Sequence, residues 1–202
     1  DVVQLLLDHS NRIELNARTK RGWTAFFHAC QNGHQDIVQM LLNHSKRIEL
    51  NVRTCFGSTP FMEASYRGHK DVVKLLLDNS DRIELNARNS RGGTALAFAC
   101  LSGNKDVVQL FLDHSDRIEL NARNNGGCTP FMNACVFGHK YVVQLLLDHS
   151  DRIELNARDS LGRTAFMYAC LNGQKDVVQL LLDHSDRIEL NARRGSGITA
   201  FM

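Results

Sequence analysis

Asn16-Ala17-Arg18-Thr19-Lys20-Arg21-Gly22-Trp23-Thr24-Ala25-Phe26-Phe27-His28-Ala29-Cys30-Gln31-Asn32-Gly33-His34-Gln35-Asp36-Ile37-Val38-Gln39-Met40-Leu41-Leu42-Asn43-His44-Ser45-Lys46-Arg47-Ile48-Glu49-Leu50 is one period of a pattern that fills the chain. Asp1-Val2-Val3, Asp36-Ile37-Val38, Asp71-Val72-Val73, Asp106-Val107-Val108, Tyr141-Val142-Val143 and Asp176-Val177-Val178 stand 35 residues apart without insertion. A fixed period of this size marks a solenoid, in which each unit buries its apolar face only against its neighbours. Full copies cover residues 16–50, 51–85, 86–120, 121–155 and 156–190, with partial copies at 1–15 and 191–202. The 202 residues therefore read as a single array without a linker.

Within one copy, Thr24 is placed to cap a short helix running to about Asn32, and Gly33 follows as its left-handed stop. Pro60 and Pro130 directly follow the matching Thr59 and Thr129, where a first helical position tolerates proline. A second helix is predicted over about Gln35–His44. Asp36 near its start suits the helix dipole, and Ile37, Val38, Leu41 and Leu42 form an apolar stripe. The remaining stretch leads to a glycine-containing turn around Gly57. The predicted fold class is all-α: helix, turn, helix, then a projecting loop.

These residues resemble the ankyrin repeat. Its Thr-Pro-Leu-His-x-Ala signature is met by Thr59-Pro60-Phe61-Met62-Glu63-Ala64 and Thr129-Pro130-Phe131-Met132-Asn133-Ala134. Gly68-His69 and Val72-Val73-Lys74-Leu75-Leu76-Leu77 continue the likeness, which spans the chain. Two departures stand out. The family period is about 33, so each copy here has two extra residues, within Ser-Asp-Arg-Ile-Glu-Leu-Asn. The signature His, which in the family helps tie neighbouring loops, is replaced by Phe27, Met62, Ala97, Met132, Met167 and Met202. That leaves open what ties the loops in this chain.

Comparing the copies separates scaffold from surface. The Val-Val-Gln-Leu-Leu-Leu-Asp-His-Ser and Arg-Ile-Glu-Leu-Asn-Ala-Arg blocks barely change. Variation gathers on the first helix, in columns headed by His28, Gln31 and Asn32, and at the loop tip, in columns headed by Arg21 and Trp23. The helix columns share one face through their i, i+3, i+4 spacing. The resemblance implies that this face and the loops line a concave surface. Aromatic residues beside arginines have the composition of a protein-recognition hot spot. Relaxed drift would leave mostly small polar residues there, and the aromatics argue against it. The residues expected to contact a protein partner are Trp23, His28, Phe56, Tyr66, Arg67, Phe98, Leu101, Phe137, Arg163 and Tyr168.

Other regularities carry no chemistry on this reading. His9, His44, His114, His149 and His184 recur once per copy, too far apart to ligate one ion, so helix-end hydrogen bonding is expected. The ladder of Arg18, Arg53, Arg88, Arg123, Arg158 and Arg193 is matched by Glu14, Glu49, Glu84, Glu119, Glu154 and Glu189. Lys70, Lys105, Lys140 and Lys175 form a further row. A solvated face is expected of all three. With a net charge of +2 the chain does not read as a nucleic-acid binder, and no apolar run reaches membrane-spanning length. No phosphate loop, Cys-x-x-Cys pair or His-Glu-x-x-His motif occurs, so catalytic, cofactor and metal sites are not expected.

Cys30, Cys100, Cys135 and Cys170 share one column, with Ser65 between them, and read as small buried thiols. Equivalent residues on packed helices lie beyond disulfide reach. Cys55 and Cys128 fall in loop tips. Reduced thiols point to an intracellular, cytoplasmic setting. The chain opens at Asp1 without a Met and closes at Met202 inside the pattern, as a piece of a longer array would. Val2, Val3, Leu5, Leu6 and Leu7 at one end and Thr199-Ala200-Phe201-Met202 at the other expose stacking faces. The second expectation is thus a structural protein that stacks head-to-tail into a filament.

Overall fold

The computed structural model describes residues 14–44, 47–193 and 199. The end segments on which head-to-tail stacking was expected lie outside them, apart from Thr199. So do the side chains of His9 and His44. The described residues form helix pairs and no strand. In chain order these are α1 (Ala25–Gln31) with α2 (Gln35–His44), α3 (Pro60–Arg67) with α4 (Lys70–Asp78), and α5 (Ala95–Ser102) with α6 (Lys105–Asp113). They continue as α7 (Pro130–Val136) with α8 (Lys140–Asp148), and α9 (Ala165–Leu171) with α10 (Lys175–Asp183). First helices stack on first helices of adjacent copies, second helices on second, and each first helix packs on its own second.

Local chemistry sets these boundaries. Thr24, Thr59, Thr94, Thr129 and Thr164 are buried, extended N-caps whose side chains accept from the third residue of the helix. At Thr59 the Met62 Sδ returns the contact, accepting from the threonine N–H at 3.5 Å. Gly68 ends α3 at φ 77°, a left-handed conformation that favours glycine. The second helices begin without a side-chain cap from His69, Asn104, His139 or Gln174. Those side chains instead reach across to the preceding copy. His69 Nε2 meets Gln31 O at 2.8 Å, Asn104 Nδ2 donates to Tyr66 O at 2.8 Å, and Gln174 Nε2 donates to Val136 O at 2.9 Å.

The core is a stack of closely similar layers. Phe26, Phe61, Leu96, Phe131 and Phe166 form one buried row, Leu41, Leu76, Phe111, Leu146 and Leu181 a second, and Ile48, Ile83, Ile118, Ile153 and Ile188 a third. Each such side chain contributes about 1.5–3 kcal/mol when fully buried. Phe61 meets Phe111 edge to face at 5.5 Å. In the thiol column Cys30, Cys100 and Cys135 are buried and Cys170 half-buried, all unpaired. Ser65 fits the same slot by donating its hydroxyl to Phe61 O at 2.7 Å.

The segment carrying the two extra residues is a stitched seam. Asn51 Nδ2 donates to Arg82 O at 2.9 Å while its Oδ1 accepts from Glu84 N at 2.9 Å. Asn16, Asn86, Asn121 and Asn156 repeat the pair of bonds. Alongside, Arg18, Arg53, Arg88, Arg123 and Arg158 each reach the next copy: Arg53 pairs with Glu84 at 2.7 Å and donates to Arg88 O at 2.8 Å. Arg18 pairs with Glu49 in the same way. These pairs are about half exposed, so each is worth only ~0–1 kcal/mol. They set register more than stability, and they neutralise the basic ladder as expected. At the far end of the second helices His114, His149 and His184 each place Nδ1 within 2.9 Å of a carbonyl four residues back, as expected of helix-end histidines.

Candidate functional site

The loop tips are built by one column of acceptors: Thr19, Thr54, Asn89, Asn124 and Asp159. Asn89 Oδ1 accepts from Arg91 N at 3.0 Å and Gly93 N at 2.8 Å, and Asn124 Oδ1 does the same for Gly126 N and Cys128 N. Such side chains hydrogen-bond the backbone ahead of them and fix a turn. Neighbouring tips are then tied to each other. Ser90 N donates to Phe56 O, Asn125 N to Arg91 O and Ser160 N to Gly126 O, each at 3.0 Å. Backbone bonds thus do the tying that the missing signature histidine leaves undone. The places of that histidine are held by the buried Phe27, Met62, Ala97, Met132 and Met167.

On this framework the expected contact residues fall into separate groups. Phe56, Phe98 and Leu101 line one groove of about 460 Å³. Tyr66 joins them, edge to face with Phe98 at 6.1 Å. Arg67 sits over the Tyr66 ring at 6.0 Å and bonds Glu63 at 3.2 Å. Phe56 is 70%, Phe137 51% and Tyr66 40% exposed, and outside the expected contacts Tyr141 on α8 is 74% exposed. Phe137, the C-cap of α7, lies against His139 at 6.3 Å. One copy from the start, Trp23 stacks on Phe27 at 5.4 Å and meets His28 edge-on at 5.0 Å, with Arg21 over its ring.

Arg163 and Tyr168 are placed differently. Tyr168 is buried, and its hydroxyl donates to Asp159 Oδ2 at 2.7 Å. Arg163 lies over the Tyr168 ring at 4.6 Å and pairs with the same carboxylate at 2.8 Å. Asp159 Oδ1 also accepts from Leu161 N and Arg163 N. Burial raises the pKa of this carboxyl, but the hydrogen bonds from Tyr168, Arg163 and Leu161 outweigh it and hold it below the ordinary carboxylate value. Burial, with Cys128 and Asp159 alongside, pushes the Tyr168 phenol well up. Cys128 is half-buried, its Sγ 3.4 Å from the Tyr168 hydroxyl. These groups brace the tip at residues 159–163.

The site's builders were less visible than its surface. Asp159 and the Asn16 column stand in no motif of the sequence, and of the residues after the helix-stopping glycines only His69 does. The turn column carried a usable signal, since only Thr, Asn or Asp occupies it in the described copies. Among the described residues no group of His, Cys, Asp and Glu side chains is arranged to hold a metal ion. No described helix is long and apolar enough to cross a membrane.

Comparison with curated proteins gave no match. The model of the family described as ankyrin repeats (3 copies) matches residues 1–54, 46–124, 82–159 and 117–194. Helix pairs at a spacing of about 35 residues and matches that run through residue 194 agree, and the chain belongs to the ankyrin-repeat family.

Proposed function

We propose that this chain is a non-catalytic scaffold that binds a protein partner through the face built by its first helices and loop tips, the concave face of the family. Ankyrin repeats are generally protein–protein interaction modules, typically without enzymatic activity. The observation that carries the reading is the exposure of Phe56, Tyr66 and Phe137 on that face, over a scaffold that is nearly copied from repeat to repeat. Clustered aromatic rings beside arginines have the composition of an interface. Phe98, Leu101, Arg67, Trp23 and His28 extend the same surface, with Arg163 and Tyr168 holding the tip at residues 159–163 in shape. The free cysteines support a reducing, intracellular site of action.

The test is a pull-down with the chain and its Tyr66→Ala/Phe98→Ala/Phe137→Ala variant as baits. Partners held by the parent chain are expected to be lost from the variant while its helical circular dichroism is kept. Equal retention of every partner would remove the reading.

A further inference from the structure

The groove over the copy spanning residues 86–120 exists because two of its residues are small. Gly93 stands where the other described copies have Trp23, Ser58, Cys128 and Arg163. Ala97 stands where they have Phe27, Met62, Met132 and Met167. In the first copy Trp23 and Phe27 stack at these same two places. Here a Cβ on Gly93 would already lie 3.4 Å from the Phe98 ring, so a larger side chain would occupy the groove. The resulting hollow of about 460 Å³ has an apolar wall of Phe56, Ala97, Phe98 and Leu101. That is room for one aromatic or aliphatic anchor.

Its polar lining holds donors and acceptors: Ser90 Oγ is spent on Phe56 O and Asn133 Nδ2 on Ala97 O, which leaves Asn133 Oδ1 as an acceptor. Asn89 and Asn124 commit their Oδ1 atoms to their own turns, which leaves the Nδ2 amides for a ligand. Arg91 is exposed, and its guanidinium has no hydrogen-bond or ionic partner among the described residues. No carboxylate lines the groove. Elsewhere on this face Arg67 is answered by Glu63 and Arg163 by Asp159, while Lys20 and Arg21 add exposed positive charge two tips away. A carboxylate-free hollow with an unmatched arginine and two free amide donors selects a carboxylate-bearing ligand. One arginine in the groove and a net charge of +2 suit a short acidic segment, not a polyphosphate backbone.

We propose that this groove is the anchor pocket for an extended acidic segment of the partner protein. An aromatic or aliphatic side chain of that segment seats between Phe56, Phe98 and Leu101, and a nearby Asp or Glu pairs with Arg91. The inference rests on the binding face proposed above and names the chemistry of what it binds.

Random dodecapeptides displayed on phage, selected against the whole purified chain at physiological salt, provide the probe. Enriched sequences are then measured as fluorescein-labelled synthetic peptides. The expected consensus joins an aromatic residue or Leu to Asp or Glu a few positions away. Arg91→Glu should weaken binding at least about tenfold, the scale of a lost charge-assisted hydrogen bond. Gly93→Trp and Ala97→Met should weaken it similarly by filling the groove. Gly93 does not have a left-handed φ, and Trp and Met occupy these columns in other copies; unchanged helical circular dichroism checks that both variants fold. Failure to enrich any consensus would overturn the inference, as would binding that ignores Arg91→Glu. A single-stranded oligonucleotide bound with the same Arg91 dependence would also overturn it. Neutral apolar peptides that are lost on Gly93→Trp would refute the acidic partner and leave the binding face standing. Indifference to every groove variant, together with an unchanged pull-down by the triple alanine variant, would remove both.

Discussion

Asp159 is a buried carboxylate held by Tyr168, Arg163 and two backbone N–H groups. Asp159→Asn keeps the shape but loses the charge, and should lower unfolding free energy by about 1–3 kcal/mol at neutral pH. Because the folded pKa lies below the unfolded value of about 3.9, the carboxylate's contribution is complete well above that pH and fades as pH falls through the folded value. The gap between parent and variant in urea titrations should therefore be full at pH 7 and narrow below about pH 4. A gap that grew on acidification would contradict this assignment. The thiols give a second residue-level prediction. Burial pushes Cys30, Cys100 and Cys135 well up, while Cys55 is exposed at a tip. Iodoacetamide on the native chain should modify Cys55 first and reach these three only on unfolding, as mass spectrometry would show.

At the scale of the element, the seam is the part most specific to this 35-residue variant of the repeat. Asn86 bonds Arg117 O and Glu119 N, both at 2.9 Å, so Asn86→Ala strands a carbonyl and an amide across one junction. A loss of about 1–2 kcal/mol in thermal or denaturant unfolding is expected. An unchanged midpoint would mean that water replaces the amide. The helices themselves were legible in the sequence because their signals are local. Thr24 capping α1, Pro60 opening α3 and Gly68 closing it each act within one turn of the residue concerned. The stitching was not legible for the opposite reason. Asn51 finds Arg82, and His69 finds Gln31, only once copies are stacked at their actual offset. The site divides along the same line. Exposure of Phe56, Tyr66 and Phe137 follows from column variation, but burial of Tyr168 depends on Asp159, nine residues back in the tip.

For the whole molecule, the layered core predicts a stability that is approximately a sum over copies and junctions. A binder of this kind acts through a surface complete within one chain, so light scattering should give a mass near 22.8 kDa that does not change with concentration. Growth of mass with concentration, insensitive to reductant, would instead favour head-to-tail stacking. The account's central claim is that the varied face binds while the copied face only supports. Hydrogen exchange on the chain bound to a captured partner tests it most directly. Protection is predicted at the tips around residues 54–58 and 89–93 and along α3, α5 and α7, with α4, α6 and α8 unchanged. Protection confined to the second helices would contradict the claim.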